Sequence, residues 1–183
     1  MAETHQRTQQ ELIKVVFYGP ESTGKTTLAK TLARTYRTTW VPEFARDYLQ
    51  EKFDKTKTPC EAHDLLPIAK GQEQLELEQA QNAKRFLFCD TNVLETYVYS
   101  KIYFPEVDFP ELKQMALKED YDYYFLTHID VPWVKDDLRD KPNERQAIFS
   151  LFKDFLIKYD KKFVILKGGL DERISTVKQI IDK

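Results

Sequence analysis

The chain has 183 residues, of which 42% are hydrophobic and 32% charged, and its formal net charge is −2. This length suits one domain, and the charge provides no basic field that would attract nucleic acid or an anionic membrane. Two cysteines exclude a disulfide framework or a cysteine-only zinc site.

The first ten residues (MAETHQRTQQ) are polar and lack the apolar stretch of a signal peptide. No later apolar run has the length of about 20 residues that a membrane span needs. We therefore expect a loose tail over 1–10, a single domain over 11–183, and a cytoplasmic protein.

Short apolar runs alternate with longer segments of helical spacing along the chain. Strands are predicted at 12–18, 39–41, 86–89, 121–129 and 163–166. Helices are predicted after the first strand as far as 36, at about 44–53, from 65 onward, at 93–103 and 112–118, along a stripe from 148 to 159, and at the C-terminus. This alternation predicts an α/β fold: a five-stranded parallel sheet with helices on both faces and ligands at the carboxyl ends of the strands.

A phosphate-binding motif follows the first predicted strand. Residues 19–26 read GPESTGKT and fit the P-loop pattern G-x-x-x-x-G-K-[ST] at every fixed position. Such a loop directs backbone N–H groups at phosphates, its lysine reaches the β- and γ-phosphates, and its hydroxyl binds Mg²⁺. We therefore predict that Lys25 is a catalytic residue. We also predict that the loop binds ATP through Gly19, Glu21, Ser22, Thr23, Gly24, Lys25, Thr26 and Thr27.

A carboxylate for the metal side of the reaction is expected at Asp90, which ends the apolar run FLFC. Phosphoryl transfer on Mg²⁺ needs such a group near the metal. We predict that Thr26 and Asp90 hold the Mg²⁺ ion. The alternative is that Asp90 caps the helix that begins near Val93.

Glu43 and Arg46 follow the second predicted strand and share a face of the next helix. A carboxylate can take a hydroxyl proton or bind ribose, and a guanidinium can hold phosphate. We predict that both serve the acceptor, although a surface salt bridge would give the same spacing.

A highly charged segment at about 134–146 contains Arg139 and Arg145. It is typical of a lid that brings arginines onto the transferred phosphoryl group, or of a solvated loop. We predict Arg139 as a catalytic residue and Arg145 as a nucleotide contact. Gly168, after the fifth strand, either lets the backbone approach a purine or makes a turn.

The segments GPESTGKTTLA, WVPEFARDYL, IAKGQ, FCDTN and DVPWVKDDLRD together resemble the nicotinamide riboside kinase domain, best known as the C-terminal part of bifunctional bacterial NAD-biosynthesis proteins. The resemblance covers about 15–169. It implies ATP-dependent phosphorylation of the ribose 5′-hydroxyl of nicotinamide riboside to nicotinamide mononucleotide. It also implies that Trp40 and Trp133 could face the pyridinium cation, unless they only pack.

Asn92 departs from that family, which often has an acidic residue at this position. A neutral amide can still bind ribose but attracts the pyridinium less. The alternatives are therefore a kinase for another nucleoside or small hydroxyl compound, and a regulatory P-loop ATPase with a protein partner. The sequence leaves open the oligomeric state, the preference between ATP and GTP, and whether Asp90 or Glu43 is the general base. It also does not explain why Gly71 lies within a predicted helix.

Overall fold

The computed structural model describes residues 11–136, 138 and 141–183. Strands and helices alternate along this part of the chain, as the hydrophobic pattern predicts. The elements are β1 (Ile13–Tyr18), α1 (Lys25–Tyr36), β2 (Trp40–Val41), α2 (Phe44–Thr56), a single 3₁₀ turn (Ala62–Asp64), α3 (Leu65–Asn82), β3 (Phe86–Asp90), α4 (Val93–Tyr103), α5 (Pro110–Lys118), β4 (Tyr123–Thr127), α6 (Arg145–Lys158), β5 (Phe163–Leu166) and α7 (Leu170–Ile181).

The described strands form one five-stranded sheet in the order β2-β3-β1-β4-β5, and each pair of neighbouring strands is parallel. The central strand β1 pairs with β3 on one side and with β4 on the other. The predicted α/β fold with a five-stranded parallel sheet is confirmed. Because β1, β3 and β2 are neighbours, the segments that follow them meet at one edge of the sheet.

Alternate side chains of β1 enter two separate hydrophobic cores. Val15 and Phe17 pack with α1 and α7, whereas Val16 and Tyr18 pack with helices α3 to α6. The ring of Phe17 stacks between Phe88 and Phe125, with centroid distances of 6.4 and 5.9 Å. Helices therefore cover both faces, and the apolar run of β1 reflects burial on both sides.

The fourth strand is shorter than the predicted 121–129. Tyr121 lies before β4, where its hydroxyl donates to the carboxylate of Glu76 at 2.5 Å and lies 3.3 Å from that of Glu119. Asp130 lies beyond the strand, and its carboxylate binds Arg173 and the backbone N–H of Gly168. Polar contacts beyond both ends of β4 thus make the strand shorter than its apolar pattern predicts. In the part of the chain that the structure describes, no helix is both long and apolar enough to cross a bilayer.

Candidate active site

The phosphate loop, residues 19–26, connects β1 directly to α1. Gly19 has a φ of +146°, and a Cβ atom there would lie 2.7 Å from Oγ1 of Thr127 on β4. Gly24 has a φ of +85° and precedes the first residue of α1. The first glycine is therefore required both by close packing and by its backbone conformation, and the second by its conformation.

The ammonium group of Lys25 is folded back into its own loop. Its Nζ donates to the carbonyl oxygens of Gly19 (2.7 Å) and Pro20 (3.1 Å) and pairs with Glu95 Oε1 at 3.0 Å. Burial lowers the pKa of Lys25, but the charges of Glu95 and nearby carboxylates outweigh it and the pKa is raised. The buried lysine is therefore held in its charged form.

Thr26 and Asp90, the residues predicted to hold Mg²⁺, are in direct contact. The Thr26 hydroxyl donates to Asp90 Oδ2 at 2.5 Å. Asp90 Oδ1 is buried and has no hydrogen-bond partner among the described residues. Burial and the charge of Glu43 raise the pKa of Asp90 to about 6. An unshared carboxylate oxygen beside a hydroxyl is the oxygen-only donor set that Mg²⁺ prefers, so these residues fit the ion.

A cleft with a volume of about 460 Å³ lies over the phosphate loop. Glu43 and Arg46 form part of its wall, and Arg173 from α7 lies on it as well. We call it the phosphate cleft. Seven of the predicted nucleotide-binding residues line it: Glu21, Ser22, Thr23, Gly24, Lys25, Thr26 and Thr27.

A second cavity of about 360 Å³ adjoins the phosphate cleft. The two share Glu21, Glu43, Ala45, Leu49 and Leu138 as lining residues. Most of the remaining wall of the second cavity is apolar or aromatic, and Glu95 adds a third carboxylate. The other lining residues are Phe53, Pro59, Cys60, Leu65, Ile68, Gln72, Thr91, Thr96, Tyr99, Tyr103 and Phe104.

The predicted lid lies against both the phosphate loop and α2. Val134 N–H donates to Ser22 Oγ at 2.8 Å, and Asp136 pairs with Arg46 at 2.6 Å. Leu138 reaches the wall shared by the two cavities. Arg46 therefore joins α2 to the lid segment in addition to lining the phosphate cleft. Arg139 lies outside the described residues.

Arg145, Trp133 and Gly168 lie near the phosphate loop but outside the lining of both cavities. Arg145 donates to the carbonyl oxygens of Ser22 (3.3 Å) and Val131 (3.0 Å), and its guanidinium lies 5.6 Å from the centre of the Trp133 ring. Gly168 has a φ of +85°, and its N–H donates to the carboxylate of Asp130. Here Gly168 makes a turn that joins two loops.

Trp40 and Asn92 are placed away from the second cavity. Trp40 packs on the core beneath α1 and α7, with Lys30 Nζ 5.0 Å from the centre of its ring. Asn92 is fully buried and caps α4, where its Oδ1 accepts a hydrogen bond from Glu95 N–H at 3.1 Å. The structure therefore does not bring these two predicted substrate residues to either cavity.

The site residues that the sequence did not predict include three that contact the phosphate loop. Glu95 binds Lys25, the Tyr99 hydroxyl accepts from Glu21 N–H at 3.1 Å, and Arg173 donates to the carbonyl oxygen of Thr23 at 2.6 Å. The available signal for Glu95 was a carboxylate in the apolar first turn of the helix after Asp90. Arg173 had none, because the segment DERIST reads as an exposed helix start.

The sequence profile of the AAA domain family matches residues 14–173, which is most of the chain. The chain belongs to this AAA domain family. The domain is 28% identical over 155 residues to the trifunctional NAD biosynthesis/regulator protein NadR of Salmonella typhimurium, and the alignment covers 84% of the chain but 38% of that protein. The NadR protein of Escherichia coli is 28% identical over 152 residues, with 82% and 37% covered. The chain thus spans less than two-fifths of these curated relatives.

Solved structures of NadR and of two kinases share the fold of this AAA domain. A structure of NadR protein in complex with NR superposes with a TM-score of 0.77 at 23% identity, covering 93% of this chain and 50% of that one. Thymidylate kinase from Ehrlichia chaffeensis gives 0.67 at 15% identity, with 93% and 98% covered. Deoxyadenosine kinase from M. mycoides with bound dATP gives 0.63 at 14%, with 93% and 100% covered. The resemblance predicted from the motifs is confirmed, and so is the fold class.

Proposed function

We propose that the chain transfers the γ-phosphoryl group of ATP to the 5′-hydroxyl of nicotinamide riboside, which gives nicotinamide mononucleotide. The observation that carries this proposal is the position of Glu43 on the wall shared by the phosphate cleft and the second cavity. A carboxylate at that junction can serve an acceptor hydroxyl next to a nucleotide phosphate. Similarity to NadR proteins and the structure of NadR with NR support the choice of acceptor.

The lining of the second cavity favours a nucleoside with a cationic base. Tyr99 and Tyr103 contribute aromatic rings, which attract a cation on their faces. Glu21, Glu43 and Glu95 contribute carboxylates, which attract positive charge and accept hydrogen bonds from ribose hydroxyls. These features support a pyridinium riboside over a neutral nucleoside, and Asn92 lines neither cavity.

Glu43 is the proposed base, because it lines both cavities whereas Asp90 lines neither. It accepts the proton of the acceptor hydroxyl while that oxygen bonds to the γ-phosphorus, and the bond from this phosphorus to the bridging oxygen of ADP breaks. Lys25 and the predicted lid residue Arg139 offset the charge of the phosphates. Mg²⁺, when held by Thr26 and Asp90, supplies further positive charge at the β- and γ-phosphates.

The proposal is tested by coupled ADP release with a panel of acceptors: nicotinamide riboside, thymidine, deoxyadenosine and none. We expect kcat/KM to be highest for nicotinamide riboside, with a product heavier by one phosphoryl group. A higher value with another nucleoside would reassign the acceptor. ADP release that is independent of every acceptor would instead indicate a regulatory ATPase.

Two variants of α2 and its cap refine this test. Glu43→Gln should lower kcat by about 10²- to 10⁴-fold, as expected for loss of general-base catalysis. Asp47→Asn removes an exposed carboxylate one turn away on the same helix and should leave kcat unchanged. Equal kcat values for the two variants would contradict the role of Glu43.

A further inference from the structure

Glu95, in the first turn of α4, contacts the phosphate loop at two points. Its Oε1 lies 3.0 Å from Lys25 Nζ, and its Oε2 accepts a hydrogen bond from Gly19 N–H at 3.3 Å. Only 3% of Glu95 and 6% of Lys25 is exposed, so solvent screens this ion pair weakly. Asn92 and Glu119 fix the position of α4 by accepting hydrogen bonds from N–H groups of its first turn.

The ammonium group of Lys25 has no free donor in this arrangement of the loop. A lysine ammonium has three N–H donors. Gly19 O, Pro20 O and Glu95 Oε1 account for all of them. A phosphate oxygen can therefore bind Lys25 only after it replaces one of these acceptors, and Glu95 is the charged one.

The same carboxylate belongs to the second cavity, where Glu95 lies with Glu43 and Tyr99. A hydroxyl group in that cavity that donates to Glu95 would compete directly with the lysine for the carboxylate. Glu95 thus makes a physical link between the cavity for the acceptor and the loop for the phosphates.

We propose that Glu95 is a positioning residue whose carboxylate holds the Lys25 ammonium away from nucleotide phosphates. An acceptor that binds in the second cavity replaces the ammonium at this carboxylate and thereby releases Lys25. The identity of that acceptor rests on the function proposed above, whereas the restraint on Lys25 does not. Because coupling between two sites is reciprocal, acceptor and nucleotide raise each other's affinity.

The restraint is tested by calorimetric binding of AMP-PNP without any acceptor. Glu95→Gln keeps the shape of the side chain but removes its charge, and we expect AMP-PNP to bind about tenfold more tightly than to the wild type. AMP lacks the β- and γ-phosphates that such a lysine reaches, so its affinity should stay unchanged. Equal or weaker binding of AMP-PNP to Glu95→Gln would overturn the proposal.

Asp47→Asn is the charge-matched control in the same binding experiment. It also removes one carboxylate, but Asp47 is exposed on α2 and lines neither cavity. An equal gain in Asp47→Asn, or an equal gain for AMP, would mean that bulk charge alone explains the effect and would overturn the restraint. Glu95→Asp, which keeps the charge but shortens the side chain, gives a second variant and should also bind AMP-PNP more tightly than the wild type.

The coupling is measured as the change in AMP-PNP affinity on saturation with nicotinamide riboside. We expect a gain of about tenfold in the wild type and none in Glu95→Gln. Binding of the riboside without such a gain would overturn the coupling. A riboside that does not bind at all would refute the proposed acceptor, and the AMP-PNP experiment would still decide the role of Glu95.

Discussion

Gly71 on α3 lies directly against the aromatic ring of Phe44, the first residue of α2, and a Cβ atom has no room between them. Hydrogen bonds fix this contact, because Phe44 N–H donates to Gln72 Oε1 at 2.8 Å and Gln72 Nε2 donates to Pro42 O at 3.2 Å. The start of α2 is thereby held at the glycine. The glycine that the sequence left unexplained is a point of contact between two helices.

Gly71→Ala should destabilise the protein. Overpacking of this kind costs about 1–3 kcal/mol, which exceeds the gain of about 0.5–1 kcal/mol from replacing a helical glycine. The free energy of unfolding in urea measures the effect. Adding Phe44→Leu, which removes most of the obstructing ring, should recover part of the loss, and greater stability of the single variant would contradict the packing argument.

Arg173→Ala should loosen the phosphate loop. The guanidinium donates to the carbonyl oxygens of Thr23, His128 and Gly168 and pairs with Asp130, so it joins the loops after β1, β4 and β5. Removing it leaves these acceptors without their partner, at a cost of about 3 kcal/mol. We also expect a higher KM for ATP.

The matched control for that variant is Arg34→Ala, at an exposed position of α1. Its effect on the free energy of unfolding should stay within about 0.5 kcal/mol, as is usual on the surface. If the two variants were equally stable and had the same KM for ATP, the bridging role of Arg173 would be wrong.

Glu119 should make stability depend on pH. Burial and the charge of Glu76 raise the pKa of Glu119 from 4.5 to about 8. Between these values the folded protein holds a proton that the unfolded chain has released, so this group's contribution to the free energy of unfolding falls as pH rises. Glu119→Gln does not titrate, and its stability relative to the wild type should therefore increase from pH 5 to pH 8.5.

Urea denaturation at the two pH values measures this difference. A shift of one pKa unit corresponds to about 1.4 kcal/mol, so the relative gain should be at least of that size. Glu106→Gln, at an exposed position before α5, is the control and should track the wild type at both pH values. A constant difference between Glu119→Gln and the wild type would refute the shifted pKa.

Trp40 and Tyr99 should differ in their effect on the acceptor. Trp40 packs on the core and against Lys30, whereas Tyr99 lines the second cavity and holds Glu21 N–H. We expect Trp40→Phe to change the acceptor KM by less than about twofold, because uncoupled surface or packing changes remain local. Tyr99→Ala should raise that KM several-fold. A larger rise in Trp40→Phe than in Tyr99→Ala would indicate that Trp40 contacts the acceptor after all.

The sequence predicted those parts of the molecule that depend on neighbours along the chain. The strands β3 and β5, the helix α4 and the phosphate loop follow from local apolar runs and from fixed spacing around Gly24 and Lys25. Arg173 could not be predicted in this way, because the carbonyl oxygen of Thr23 that it binds lies 150 positions away. Trp40 was predicted from its motif but lies outside the site, because a motif does not determine on which face of the sheet a side chain lies.

The central strand β1 packs Phe17 into one core and Tyr18 into the other, and Gly19 follows without a spacer. Deleting a single residue from Ile13–Tyr18 would therefore exchange the two sets of side chains or draw Gly19 into the sheet. An insertion would push the glycine beyond the Thr127 hydroxyl against which it fits. The length of this strand is thus set by the phosphate loop at its end as firmly as by the two cores on its sides.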